Sequence, residues 1–210
     1  MTAVAFLLLS LTAVIAVLDW IAVAAGQRVV EYVCKPLVMV GLVATTLQLD
    51  PSSDLARTLL VCGLLLSLIG DVALMLPSDA FVVGLMAFLG AHLFYVVAMA
   101  VLGVHIGGIA FGLLLAVVVG LGIGRRIVDG ARAADPALAA PVTVYIVLLS
   151  LMAVVAIGTG RPAAIVGGVA FVASDSMLGW SRFVVASGRS RLPVMVTYHV
   201  AQIGLVLALI

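Results

Sequence analysis

Asp71 in "SLIGDVALML" and Asp175 in "FVASDSMLGW" stand in runs that otherwise read as lipid-soluble. A charged Asp at the centre of a membrane helix costs about 2.5–3.5 kcal/mol on insertion scales, so an ionisable residue at membrane depth marks a functional site by default. Such a carboxyl can hold and release a proton or stabilise a positive charge. The plainer alternative is a structural hydrogen bond to a neighbouring helix.

Other polar residues could join them. Lys35 follows Glu31 by four positions, the favoured order for a helical ion pair, and it could also snorkel to the interface. Pro36 follows directly and frees the carbonyl four residues earlier, so a kinked backbone beside a cation would make a phosphate or carboxylate cradle. Gly84, Phe88, His92 and Tyr95 recur at helical spacing and share one face; Tyr198 and Gln202 form another i,i+4 pair. His199 points elsewhere on that helix. Tyr145 and Ser174, the neighbour of Asp175, complete the candidate set. No H-x-x-x-H or H-E-x-x-H spacing suits zinc. Neither a G-x-S-x-G nucleophile nor a phosphate-binding glycine loop is present, and no cofactor is expected.

The elements that must position these groups are membrane spans. The 210 residues are 66% hydrophobic and 9% charged, with a mean hydropathy of +1.42. Soluble domains carry roughly 25% charged residues, and a soluble core of this length could not hide so much apolar surface. The net charge of +1 excludes a nucleic-acid binder. Cys34 and Cys62 both fall in apolar runs, without a disulfide framework. At about 20 apolar residues per span, charge clusters, Pro and Gly divide the chain into eight candidates: 2–24, 30–49, 55–76, 80–102, 107–124, 138–158, 161–186 and 192–210. The first has no basic residue ahead of it and is longer than a signal core, so it reads as a retained span. The whole chain, 1–210, is one integral membrane domain of all-α class. "GRRIVDGARAADPA" is the longest polar connection.

Orientation follows from the basic residues. Connections one, three, five and seven carry Arg28, Arg125, Arg126, Arg132, Arg189 and Arg191, with Lys35 and Arg182 close by; the opposite face has only Arg57 and Arg161. This places both termini outside and the arginine-rich ends in the cytoplasm. Nine Arg against one Lys, with abundant Ala, Val and Gly, fits a GC-rich bacterial genome and hence the inner membrane. Lys35, Asp71, Tyr145 and Tyr198 all approach the membrane from the arginine-rich side, and His92, Asp175 and Gln202 sit deeper. Spans running in alternate directions thus agree in depth, which predicts one shared polar cavity open toward the cytoplasmic leaflet.

Two further patterns concern architecture. Asp71 and Asp175 both sit in D-x-x-L, 104 positions apart, each in the third span of a four-span half. Two parallel four-helix repeats would give this pattern. Gly108, Gly112, Ala116, Gly120 and Gly124 set a small residue at every fourth position of span five. Such a stripe allows close helix contact, either within the chain or at a homodimer seam.

The chain resembles the YhhN family of multi-span proteins, which contains the lysoplasmalogenases. The matching pieces are "KPL" at 35–37, "GDVALM" at 70–75, "GLMAFLGAHLFY" at 84–95, Tyr145, "FVASDSML" at 171–178 and "YHVAQ" at 198–202. They span nearly the whole chain and keep their order; position 199 is His where the family pattern suggests a smaller residue. The resemblance implies an eight-helix membrane hydrolase that cleaves the vinyl ether of alkenyl lysophospholipids into a fatty aldehyde and a glycerophospho-head group. A vinyl ether hydrolyses through protonation of the carbon beta to oxygen, which leaves an oxocarbenium ion for water to capture. One carboxylic acid to give the proton and one carboxylate to stabilise the cation would suffice. Two aspartates in one low-dielectric site suit that division, since like charges placed close together do not both ionise. The implied catalytic pair is therefore Asp71 and Asp175, with the lipid chain among the helices and Lys35 on the phosphate. A reading from a different class is a proton-coupled carrier of a small amphiphile, with the aspartates as proton relay; broken helices would favour it.

Overall fold

The computed structural model describes residues 1–75, 80–185 and 191–210. Arg189 therefore lies outside the described residues. The helices are α1 (Ala3–Ala24), α2 (Arg28–Leu47), α3 (Asp54–Met75), α4 (Phe81–Val101), α5 (Ile106–Val119), α6 (Arg125–Ala134), α7 (Ala139–Gly158), α8 (Pro162–Phe183) and α9 (Arg191–Leu207). Among the described residues, seven helical segments are long and apolar enough to cross a membrane, α5 running on into α6 as one of them; α9 is a shorter apolar helix of 17 residues.

Local sequence explains the ends. Thr2 caps α1 by accepting from the Ala5 N–H. Gly26 and Gly160 follow the ends of α1 and α7 with φ of 69° and 66°, the left-handed geometry that closes a helix and that a side chain would strain. Pro36 does not break α2, which is helical from Arg28 to Leu47.

The polar connection "GRRIVDGARAADPA" is not a loop. After α5 the chain passes through a π-helical turn, Gly120–Gly124, and continues as α6. Ile127 and Ala131, one turn apart, are buried while the arginines face out. A polar composition concealed an amphipathic helix whose apolar positions obey i,i+4 spacing.

The exterior is apolar as well as the core, and a set of polar side chains is buried within it. Phe6, Leu7, Ile106, Phe111 and Leu121 face outward, whereas Asp19, Lys35, Asp71, His92 and Gln202 are buried. Six helices form a closed circuit in which each packs on the next: α2, α3, α4, α7, α8, α9 and back to α2. α1 lies outside on α2, and α5 outside on α7. The neighbour relations of the first four spans recur in the second four: α1–α2, α2–α3 and α3–α4 correspond to α5–α7, α7–α8 and α8–α9, and the cross-contact α4–α7 corresponds to α9–α2. That is the arrangement two parallel repeats produce.

Glycine sets the close approaches. A Cβ at Gly63 would lie 2.2 Å from the Tyr95 ring, and one at Gly70 would lie 2.6 Å from the Phe88 ring. Seven-residue spacing on both helices seats the two aromatic residues of α4 into α3. In the second half, Gly167 and Gly204 bring the α8 and α9 backbones together. The small-residue stripe is used within the chain: a Cβ at Gly108 would meet the Ile157 carbonyl at 2.8 Å, and one at Gly112 would meet Val154 Cα at 2.9 Å, both on α7.

The two ends of the bundle are tied differently. Glu31 at the start of α2 receives the Arg191 guanidinium from the start of α9, at 2.6 and 2.8 Å. At the opposite end Arg161 donates to the Ala208 carbonyl at 2.8 Å and to Ser52 Oγ at 3.2 Å.

Candidate active site

Two carboxylate centres form in the arginine-rich half of the bundle. In the first, Lys35 Nζ of α2 lies 2.9 Å from Asp71 Oδ1 of α3, both almost fully buried. Tyr198 of α9 donates to Asp71 Oδ2 at 2.6 Å. Beside them Tyr95 donates to Gln202 Oε1 at 2.8 Å, and its hydroxyl lies 3.1 Å from Ser67 Oγ. The local pairing of Lys35 with Glu31 does not occur. Glu31 is taken by Arg191, and the α2–α3 contact brings Asp71 to Lys35. A buried ion pair persists only with good geometry and further hydrogen bonds; Tyr198 supplies one.

In the second centre Tyr145 of α7 donates a very short hydrogen bond to Asp175 Oδ2 of α8. An aromatic partition separates the two centres. Phe171 sits between the rings of His92, at 4.7 Å, and Tyr198, at 5.7 Å, and His92 lies 5.3 Å from Tyr145. His92 Nδ1 is 2.7 Å from the Phe88 carbonyl. A carbonyl only accepts, so Nδ1 carries the proton, and Nε2 is left without a hydrogen-bond partner among the described residues. Asp175 remains within electrostatic reach of Asp71 and Lys35.

The two centres occupy corresponding spans of the two four-span halves. Lys35–Asp71 joins spans two and three; Tyr145–Asp175 joins spans six and seven. The first pairs its carboxylate with a cation and the second with a neutral hydroxyl.

The Lys35–Asp71–Tyr198 group and the Tyr95–Gln202 pair are buried. Next to them an apolar cleft of about 740 Å³, mouth included, opens between α4, α6, α7 and α8. Leu85, Phe88, Ile127, Ile146, Leu149 and Val172 line it, and Asp175 and Tyr145 belong to its wall. Lys35, Asp71, His92, Tyr95, Tyr198 and Gln202 do not line it. Ser174 turns away from the cleft and donates to the Val194 carbonyl at 3.1 Å, tying α8 to α9.

Three residues outside the candidate set stand beside it. Asp19 of α1 is fully buried, and neither carboxylate oxygen has a hydrogen-bond partner among the described residues. Its neighbour Trp20 donates to His199 Nδ1 at 2.9 Å, so His199 points at α1. Asp19 lies near the cytoplasmic end of span one, at the depth shared by the other polar residues; the depth argument, applied to it, finds it. Arg182 lines the cleft near its α8 end.

The profile of the YhhN family matches residues 30–209. The chain belongs to the YhhN family. Membership covers α2 to α9, and so takes in every residue of both centres. This YhhN protein is 37% identical over 155 residues to proteins named lysoplasmalogenase from Mycobacterium bovis and Mycobacterium tuberculosis, covering 70% of the chain and 58% of each relative. It is 32% identical over 160 residues to the human protein named lysoplasmalogenase TMEM86B, covering 76% of the chain and 66% of that relative. The matched region thus spans less than two thirds of these curated relatives. No solved structure matches this YhhN chain.

Proposed function

We propose that this YhhN protein hydrolyses the vinyl ether bond of alkenyl lysophospholipids, with Asp175 as the acid. The observation that carries this reading is a lone carboxyl, bonded to a tyrosine, in the wall of an open apolar cleft. The activity named in its relatives needs that combination. The alkenyl chain lies in the cleft with its ether at Asp175. Asp175, protonated on Oδ1 while Oδ2 accepts from Tyr145, gives its proton to the beta carbon. The π pair of C=C forms the new C–H bond and leaves a C–C single bond, and the positive charge settles on the C–O unit as an oxocarbenium ion. The new carboxylate faces that cation and takes a proton from the water that adds to it. The resulting hemiacetal collapses to a fatty aldehyde and the glycerophospho-head group. Lys35 pairs with Asp71 at 2.9 Å, so Asp71 acts on Asp175 at a distance, through the Tyr198–Phe171–His92 packing. Tyr95 and Gln202 hold that packing in place. On α5, Gly108 and Gly112 already receive α7, while Gly120 is open for a homodimer seam. Carrier function drew on broken helices, and α2 runs unbroken past Pro36.

The detergent-solubilised protein is expected to turn over an alkenyl lysophospholipid and to leave the acyl analogue intact. In heavy water the aldehyde, trapped by immediate reduction, is expected to carry one deuterium at its alpha carbon from the first turnover. Authentic aldehyde in the same buffer controls for enolisation. Aldehyde trapped without that deuterium removes carbon protonation, and absence of turnover in detergent removes the hydrolase.

The same reading sets the protein in a bacterial inner membrane, with termini outside and the cleft in the cytoplasmic half. The arginine asymmetry supports this, because Arg28, Arg182 and Arg191 gather at one end and Arg57 and Arg161 at the other. In a background lacking Cys34 and Cys62, Ser53→Cys is expected to react with an impermeant thiol reagent from outside and Ala134→Cys to be protected. The reverse pattern inverts the topology.

A further inference from the structure

We propose that the hydroxyl of Ser176 binds the free glycerol hydroxyl of an alkenyl lysophospholipid, and so selects it over lipids in which that oxygen is blocked or missing; this rests on the hydrolase reading above. A hydroxyl on an apolar helix ordinarily bonds back to the carbonyl one turn earlier, as Thr12, Thr46 and Thr143 do here. Among the described residues, every serine and threonine but two takes part in a hydrogen bond through its hydroxyl. The two are Ser150 and Ser176, and both belong to the wall of the cleft. A hydroxyl without a partner in apolar surroundings is costly. A polar group left open in a ligand cleft fixes the orientation of what binds there.

Position separates the two serines. Val172, Asp175, Ser176, Gly179 and Phe183 of α8 line the cleft, at the three- and four-residue intervals of one helix face. Ser176 is adjacent to Asp175 on that face, one step toward the Phe183 end. Ser150 is five residues beyond Tyr145, the α7 residue bonded to Asp175. It therefore stands about 7.5 Å from that pair along the axis at 1.5 Å per residue, on the side away from Phe183. Ser174, on the other side of Asp175, is already bonded to the Val194 carbonyl at 3.1 Å. Among the described residues, the open hydroxyl at the height of the acid is that of Ser176.

The substrate carries a matching pair of points. Four bonds separate the carbon that takes the proton from the glycerol carbon that bears the free hydroxyl: the C=C bond, the two C–O bonds of the ether and one C–C bond. At about 1.2 Å of advance per bond, these atoms stand roughly 5 Å apart. Adjacent helix residues have Cα atoms about 3.8 Å apart and side chains that diverge, so Asp175 and Ser176 address both points at once. The alkenyl chain then runs toward Val172 and Ser150, and the glycerol toward Phe183. A hydroxyl both donates and accepts, so Ser176 and the glycerol hydroxyl satisfy each other. An acyl group at that oxygen removes its proton and sets a second chain against Ser176.

The test uses the purified full chain in detergent and two substrates, 1-alkenyl-glycerophosphoethanolamine and its 2-deoxy analogue, which lacks the glycerol hydroxyl. The readout is the ratio of the two kcat/KM values, which is insensitive to the fraction of folded enzyme. The wild type is expected to favour the hydroxyl-bearing lipid, and Ser176→Ala to lower that preference about tenfold, as the loss of one neutral hydrogen bond predicts. Ser150→Ala removes the other open hydroxyl of the same cleft and is expected to keep the wild-type ratio. A wild type without preference overturns the proposal, as does a Ser150→Ala ratio that falls as far as that of Ser176→Ala. Equal losses on both substrates in Ser176→Ala would give its hydroxyl to the attacking water and also overturn it. Should the wild type hydrolyse neither substrate, the hydrolase reading fails and the hydroxyl site is judged by binding alone. The saturated ethers 1-alkyl-glycerophosphoethanolamine and its 2-deoxy analogue are then compared. Ser176→Ala is expected to erase the difference between their Kd values, and an unchanged difference, or none in the wild type, overturns the site.

Discussion

Asp175→Asn is expected to lower turnover of an alkenyl lysophospholipid by at least about 10³-fold, within the range of a lost general acid and its electrostatic contribution. The amide keeps the shape of the carboxyl and can still accept from Tyr145, so the α7–α8 contact and the cleft survive. It cannot deliver a proton to carbon, and it cannot become the anion that faces the oxocarbenium ion. Both consequences fall on kcat; KM should move little, because the cleft wall is otherwise apolar. Steady-state kinetics on monodisperse protein, with thermal unfolding measured alongside, decides the matter. An Asp175→Asn enzyme within about tenfold of wild type would take the acid away from Asp175.

Asp71→Asn is expected to fail differently, through stability. Removing one partner of a buried ion pair leaves an uncompensated charge and costs about 3–5 kcal/mol. Lys35 is almost fully buried, with Asp71 as its ion-pair partner at 2.9 Å. The single variant should therefore unfold at markedly lower temperature. Lys35→Met combined with Asp71→Leu removes both charges at similar volume, and such replacements are often neutral or stabilising. The double variant should recover the wild-type Tm to within a few degrees. Its turnover should be down only about tenfold, since Asp71 reaches the substrate through Asp175 and the aromatic partition, and general acid catalysis itself is worth 10²–10⁴. A well-folded double variant as inactive as Asp175→Asn would put Asp71 in the chemistry itself. A double variant no more stable than Asp71→Asn would refute the ion-pair account.

Much of the site was legible because polar residues are conspicuous in apolar spans. Asp71, Asp175, Lys35, His92, Tyr95, Tyr145, Tyr198 and Gln202 all come to one half of the bundle, seven of them around the partition on which Phe171 sits. Asp19 was equally visible at the end of span one, and only the weight given to the D-x-x-L pair hid it. α6 was concealed by its arginines, though Ile127 and Ala131 carry the helical signature.

What could not be read was who meets whom. By sequence Lys35 belongs to Glu31, one turn away; in the bundle it belongs to Asp71, because Arg191 of α9 claims Glu31. Ser174 is next to Asp175 along the chain, yet the helical rotation of one residue turns it toward α9. Asp71 and Asp175 look equivalent in sequence, and only the cleft between α4, α6, α7 and α8 distinguishes them by reaching one and not the other. The physical reason is dimensional. Each residue of a membrane helix advances a fixed distance along the bilayer normal, so composition and spacing determine span number, depth and the polar half of this protein. Position within the membrane plane depends on which helices pack together and how each is rotated. The glycines at 63, 70, 167 and 204 settle that through contacts made far along the chain, and so the tertiary structure alone decided the ion pair, the partition and the cleft.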